Sequence, residues 1–383
     1  MLVKVVPRRL LKIINLRVKN GGCAFRVEEF HALSIQQNCI TQSLWHYDLT
    51  TILTVSILVC MKAKKNSFMQ MQPPMVRVVY ALIPLVFAAI YFFGWRFIVV
   101  FAIVNIAGIL SEYLLARAYG MKVTSSILVT TFLFALSMPP TIPYWIAVVG
   151  IVFGVVFGKM VFGGFGKNVF NPAISGRAFI YISFGVPLTG RFVPPVSGGI
   201  LRGFTAWASQ ADTISSATPL VVQAQGGSIP LLDLFLGNIP GSFGETSALL
   251  IILGGIYIVW KKAANWHFIA SSVVSFLILY AALFYSGVEG AIEPIHALFS
   301  GSFLFAAVFM VTDPVSASQT TNLGRWIYGS IIGVMIVLIR VFSGWPAGAT
   351  FAILFGNMFA PLIDYLIKEQ KRKQKEKREA AAV

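Results

Sequence analysis

Val76–Ala116 reads VRVVYALIPLVFAAIYFFGWRFIVVFAIVNIAGILSEYLLA, and only Arg77, Arg96 and Glu112 carry charge in its 41 residues. A helix needs about 20 predominantly apolar residues to cross a bilayer. The stretch therefore holds two crossings, 77–95 and 97–117, joined by a short connection at Gly94-Trp95. Apolar runs of similar kind follow at 123–139, 142–161, 172–187, 247–260, 266–286, 296–312, 325–342 and 347–367. Lipid offers backbone groups no partner, so each run is expected to be helical. The fold class predicted is an all-α membrane protein with about ten transmembrane helices.

Composition points the same way. Of 383 residues, 57% are hydrophobic and 11% charged, against about 25% charged in a soluble domain. The net charge of +16 is spread between apolar runs and the tail Lys368–Arg378. That pattern anchors a membrane protein; it forms no basic face with interleaved aromatics, so no nucleic-acid partner is expected. Cys23, Cys39 and Cys60 all precede the apolar body. The body alone can therefore hold neither an iron–sulfur cluster nor a disulfide framework. His267 and His296 are its only histidines and fall near opposite faces, which disfavours haem. No metal site is expected, and any redox cofactor of the body should be organic.

Charge also sets orientation. Arg117 and Lys122, Lys159 and Lys167, Lys261 and Lys262, and Arg325 follow even-numbered spans. The basic tail 369–383 lies on that same side, which the positive-inside rule makes cytoplasmic. The long connection 188–246 then faces outward. Residues 1–60 differ in character from the ten-span body 61–368. They are expected to be an upstream extension, with Met61 ahead of Lys62, Lys64 and Lys65 as a natural start.

A faint repeat runs through the body. Val161-Phe162-Gly163-Gly164 is similar to Val341-Phe342-Ser343-Gly344, and each follows a glycine pair, Gly150/Gly154 or Gly329/Gly333. Pro139-Pro140 and Asp313-Pro314 precede them. Five spans per half is odd, so the halves are expected to be inverted repeats, an arrangement that binds ligands near the midplane.

Ionisable residues within apolar runs are the first candidates for function, because a charge at mid-membrane needs a partner or water. Glu112, Asp313 and Asp364 are candidates for an ion path, with Arg177 and Arg340 as the matching cations. Arg177 follows a glycine-rich loop, Gly163 and Gly164 through Asn168 and Asn171-Pro172. A loop of this kind leading into a proline-started helix can offer free N–H groups to an anion, with Arg177 adding a fork for a phosphate. The segment Ala211–Leu220 (ADTISSATPL) reads from its residues alone as a capped turn.

At these residues the body resembles the NqrB subunit of the sodium-translocating NADH:quinone reductase, and its relative, the RnfD subunit of the Rnf complex. The strings are VFGGFGKNVFNPAISGRAF (161–179), GNIPGSFGETS (237–247), TDPVSAS (312–318), GVMIVLIRV (333–341) and AILFGNMFAPLID (352–364). Ser316-Ala317-Ser318 and Phe359-Ala360-Pro361 look more like the quinone reductase subunit, whereas Gly94-Trp95 and Ala217–Leu220 look more like the Rnf subunit. The balance leans to the quinone reductase.

The resemblance implies an FMN joined through its phosphate to Thr218 in the outward loop, with Asp212 and Ser215 in the surrounding motif. Thr213 and Ser216 stand where the family usually has glycines. It implies a second flavin, riboflavin, and cation movement, of Na+ or H+, near Glu112, Asp313 and Asp364. It also implies a quinone region in the second span, where Gly108 keeps one of two paired glycines and Ile109 replaces the other. The expected partners are the other subunits of a multi-subunit redox complex in a bacterial inner membrane. NADH is not expected to bind this chain, which has no dinucleotide fingerprint. A reading from another class is a passive transporter or channel, which would share the inverted repeat and the buried carboxylates but would not need the motif around Thr218.

Overall fold

The computed structural model describes residues 17–19, 22–24, 69–189, 192–196, 202–204, 206, 218–318, 321–343 and 348–381. Asp212 and Ser215 lie outside the described residues, as does most of the extension 1–60. The chain divides into two units, Met1–Ser67 and Phe68–Val383. In the first, strand β1 (Arg17–Lys19) pairs antiparallel with β2 (Gly22–Ala24). The described helices all belong to the second.

Two long helices open it. Helix α1 spans Pro73–Phe93 and starts on two prolines, which have no N–H to leave unsatisfied at a helix start. Helix α2 spans Arg96–Ala118. Its residues Val100, Val104, Gly108, Glu112 and Ala116 are buried, while Ile106, Leu110 and Leu114 on the opposite face are exposed. Both faces are apolar, as a helix between protein and lipid requires.

A two-residue parallel pairing, β3 (Met69–Gln70) with β4 (Val123–Thr124), departs from the all-helical expectation and leads into α3, Ser126–Leu136. Helix α4, Tyr144–Val155, continues as a π turn over Val156–Met160, and α5 spans Pro172–Ser183. A single turn of helix over Gly185–Thr189 and a 3-10 turn over Arg202–Phe204 lead through the long connection to two further short helices, α6 (Pro219–Ala224) and α7 (Leu231–Leu236). Next come α8 (Ala248–Trp260) and α9 (Trp266–Tyr285).

The expected single span 296–312 is broken. Helix α10, Pro294–Phe299, ends at Ser300, and Gly301 turns the chain at φ 67°. Helix α11, Phe303–Phe305, then runs into a second π turn, Ala306–Met310. Arg340 props the break open by donating to Ala297 O at 3.0 Å and Ser300 O at 3.2 Å. Helix α12 spans Asn322–Phe342, and α13 runs from Ala349 to Ala381. The basic tail is thus helical as far as Ala381. Its Glu and Lys/Arg side chains fall three and four residues apart and pair, as in Arg372–Glu369 at 2.8 Å.

Each expected span therefore contains helix. Among the described residues, only α1, α2, α9, α12 and α13 are long and apolar enough to cross a membrane. Helices α3, α4 with its π turn, and α8 are shorter apolar elements. Small residues hold neighbours close. A Cβ on Gly154 of α4 would lie 2.3 Å from Pro172 O of α5, and one on Gly333 of α12 would lie 2.4 Å from Ser272 O of α9.

Candidate functional site

Glu112 faces inward from α2, and its neighbours are set by the β3–β4 pairing. That pairing holds Thr124 extended, so its amide and its hydroxyl both donate to Glu112 Oε1, at 3.0 and 2.9 Å. Glu112 Oε2 accepts from Lys159 Nζ at 2.6 Å. The π turn places Lys159 there, and the same ammonium reaches Ser126 Oγ at 2.8 Å and Thr124 Oγ1 at 3.0 Å. Both charged side chains are only 2% exposed. Burial at this depth is tolerable because each charge is paired and hydrogen-bonded. The charge pattern of the sequence counts Lys159 among the positive residues of a cytoplasmic connection. That is corrected: of the pair named there, Lys167 is exposed and Lys159 is buried.

A cavity of about 50 Å³ adjoins this pair, lined by Ser126, Lys159, Asn168, Asn171 and Asp313 among others. Asp313 belongs to the loop that follows the second π turn. Its Oδ2 accepts from Ser316 Oγ at 2.8 Å and its Oδ1 from Val315 N at 3.1 Å. Asp364, on α13, accepts from Ser318 Oγ of the same loop at 2.5 Å. So one loop holds Asp313 and hydrogen-bonds Asp364, and Glu112, through Lys159, is set on the same cavity as Asp313.

Asn357, for which the sequence suggests no role, ties these parts together. It is fully buried on α13. Its Nδ2 donates to Tyr328 OH at 2.6 Å and Ser316 O at 3.2 Å, and its Oδ1 accepts from Asn171 N at 3.1 Å. Only its position within an otherwise apolar stretch of α13 could have singled it out.

The glycine-rich loop has its own geometry. Gly163 and Gly164 lie at φ 99° and 87°, a region that favours glycine. Asn168 folds back on the loop, its Nδ2 donating to Phe170 O at 3.0 Å. The expected open N–H groups at the start of α5 are not open. Asn171 caps that helix, its Oδ1 accepting from Ala173 N at 3.0 Å and Ile174 N at 3.4 Å. Arg177, one turn on, is likewise engaged, its Nη1 donating to Glu245 Oε1 at 2.8 Å with both side chains buried. Gly108 sits where α2 crosses α3 and α4, and a Cβ there would come within 2.5 Å of Thr131 Cγ2.

Thr218 precedes α6 at the position where a threonine usually caps a helix, yet its side chain makes no capping bond. Its Oγ1 is buried and has no hydrogen-bond partner among the described residues. Such an atom needs a reason, because a buried hydroxyl without a partner is costly. Helix α6 rests on the α10–α11 break, where Ser300 Oγ donates to Gln223 Oε1 at 3.3 Å. Among the described residues no group of three His, Cys, Asp or Glu side chains is placed to hold a metal ion.

Proteins of known assignment are similar to this chain over most of its length. One from Yersinia pestis, named as the NqrB subunit of the Na(+)-translocating NADH-quinone reductase, is 38% identical over 300 residues, covering 74% of this chain and 68% of its own. Its namesake in Klebsiella pneumoniae subsp. pneumoniae is 40% identical over 300 residues, with 74% and 69% covered. The namesake in Neisseria meningitidis serogroup A is 40% identical over 303 residues, with 77% and 71% covered. Residues 62–373 match the NQR2, RnfD, RnfE family as a whole, and the chain, a multi-pass membrane protein, belongs to that family.

Proposed function

We propose that this chain is the flavin-carrying membrane subunit of an ion-translocating NADH:quinone reductase, with an FMN held through its phosphate on Thr218. The observation that carries the proposal is the orphaned Oγ1 of Thr218. Phosphoester attachment needs a hydroxyl, and among the described residues this one is spared both from capping α6 and from any other hydrogen bond. The names of the three relatives support membership of a sodium-translocating quinone reductase over an Rnf-type complex. When bound, the flavin would supply one-electron chemistry between a partner subunit and the next carrier, for which riboflavin is proposed by resemblance, on the way to quinone.

The chain's own part is to hold and orient. Thr218 fixes the attachment point, and α6 is seated on the break that Arg340 supports. Glu112, Asp313 and Asp364, gathered around one cavity and one loop, are proposed to handle the translocated Na+ or H+. The ten-span, twice-five inverted architecture belongs to the same proposal. It rests on the sequence repeat, Val161–Gly164 with Val341–Gly344, each behind a glycine pair, Gly150/Gly154 and Gly329/Gly333. The setting proposed is a bacterial inner membrane, with the C-terminal tail cytoplasmic and the loop 188–246 outside.

The test is flavin fluorescence of the denatured chain in a gel, comparing the native protein with Thr218→Ala, each co-expressed with the flavin-attaching enzyme. A fluorescent native band that the substitution darkens is expected. A dark native band would overturn the covalent-flavin reading and leave the passive transporter or channel.

A further inference from the structure

The ion path proposed above begins with a contradiction. Glu112 is offered as a cation ligand, yet a cation already sits on it. The oxygens around Lys159 Nζ are Glu112 Oε2 at 2.6 Å, Ser126 Oγ at 2.8 Å and Thr124 Oγ1 at 3.0 Å. An ammonium has three donors, and here each has an oxygen. Converging carboxylate and hydroxyl oxygens in a dry pocket are equally what a small monovalent metal ion seeks once it has shed its water.

We propose that Glu112, Thr124 and Ser126 form a monovalent-cation cage whose tethered occupant is the Lys159 ammonium, and that a sodium ion enters by displacing it. Two further features make displacement feasible. The ammonium has somewhere to go: the adjoining cavity of about 50 Å³ is lined by Lys159, Ser126, Thr312 and Asp313 among others. A void of that size holds a few waters, at about 10–15 Å³ each, so it can receive the ammonium close to a second carboxylate. The backbone that carries Lys159 is also unusual. It lies in the π turn Val156–Met160, just ahead of Gly163 and Gly164, whose φ angles are 99° and 87°. π turns interrupt the regular ladder and often mark places where a helix works rather than merely packs. No covalent bond changes in the exchange. One positive charge arrives at Glu112 as another retreats towards Asp313.

This inference rests on the ion-path reading of Glu112 and not on the flavin at Thr218. Its test is thermal unfolding of the full chain in detergent, in sodium chloride and in choline chloride at equal ionic strength. Lys159→Met leaves Glu112 buried without its partner, which is strongly destabilising. The variant should therefore melt below the parent in choline, and saturating sodium should raise its Tm by roughly 5 °C or more. The parent, whose cage is filled, should respond far less. Glu112→Gln combined with Lys159→Met removes both charges, so that chain should fold and lose the sodium response. The inference is overturned if Lys159→Met melts alike in sodium and choline, or if the double variant keeps the response. It is also overturned if Lys159→Met cannot be recovered folded even in sodium while the double variant can. Because the readout needs neither flavin nor partner subunits, a dark band in the fluorescence test leaves this outcome independent.

Discussion

At the scale of single residues, Glu112–Lys159 and Arg177–Glu245 are buried ion pairs, and the pairs set what substitution should do. Arg177 and Glu245 approach to 2.8 Å with side chains 8% and 7% exposed. Removing one partner strands the other charge in a dry place, at a cost of about 3–5 kcal/mol, whereas replacing both with neutral residues of similar size can be nearly neutral. Arg177→Met alone should therefore lower the Tm of the full chain in detergent markedly, and Arg177→Met with Glu245→Gln should restore most of it. Asn357→Ala should act in the same direction through three hydrogen bonds at once, leaving Asn171 N, Tyr328 OH and Ser316 O to find new partners. A loss of about 1–3 kcal/mol is expected, as for unsatisfied buried polar groups. These residues differ in how legible they are. Glu112 and Arg177 stand out because an ionisable residue in an apolar run is conspicuous. Their partners do not, because Lys159 and Glu245 lie 47 and 68 residues away in sequence and near the ends of apolar runs. There a charge ordinarily reaches out to water, and nothing in composition says that these two turn inward. Asn357 hides for the opposite reason: a neutral amide in an apolar helix costs little enough to pass unnoticed.

Elements are more legible than their irregularities. Hydropathy locates the helices, since α1, α2, α9 and α12 each overlap an expected span closely. The π turns leave no trace in composition, because one extra residue per turn changes no side chain's polarity. The break after α10 does have a signal, in that Ser300-Gly301-Ser302 interrupts an apolar run and its glycine takes φ 67°. The glycine pairs read in sequence as a repeat, and the packing gives them a job that can be tested. On α12, a Cβ at Gly333 would sit 2.4 Å from the backbone oxygen of Ser272. Backbone cannot rotate away as a side chain can, so Gly333→Ala must push α9 and α12 apart. A destabilisation of about 1–3 kcal/mol, the usual cost of overpacking, is expected. Gly185→Ala, where an added Cβ meets nothing within 4 Å, is the matched control and should leave the melting curve in place.

For the whole molecule the question is how many elements cross the membrane, since among the described residues only five helices do so on length and composition alone. Helix α3 has 11 residues, which at 1.5 Å each is about 16 Å, roughly half of the hydrocarbon core. Its far end is met by the segment 237–247, where Phe243 N donates to Met138 O at 3.1 Å and Gly244 N to Leu136 O at 2.7 Å. Irregular backbone at membrane depth is allowed when protein surrounds it, and α3 is buried almost throughout. Helix and segment together can therefore complete one crossing that neither makes alone. Counting such composite elements gives ten crossings, and counting only the long helices gives five. The two counts disagree on one relation. With ten, Lys167 after α4 and Ser228 in the long connection lie on opposite sides. With five, nothing crosses between α2 and α9, so both lie on the same side. Both residues are exposed, as is Lys371 in the tail. Single cysteines at 167, 228 and 371, in a chain freed of Cys23, Cys39 and Cys60, can be probed with a membrane-impermeant maleimide on intact cells. Ten crossings with the basic tail inside predict that Ser228→Cys alone labels from outside. Lys167→Cys and Lys371→Cys should label only after permeabilisation. Labelling of Lys167→Cys and Ser228→Cys together from one side would mean that α5, the helix between them, does not cross. The inverted five-plus-five arrangement would fall with it, because its symmetry requires each half to cross an odd number of times.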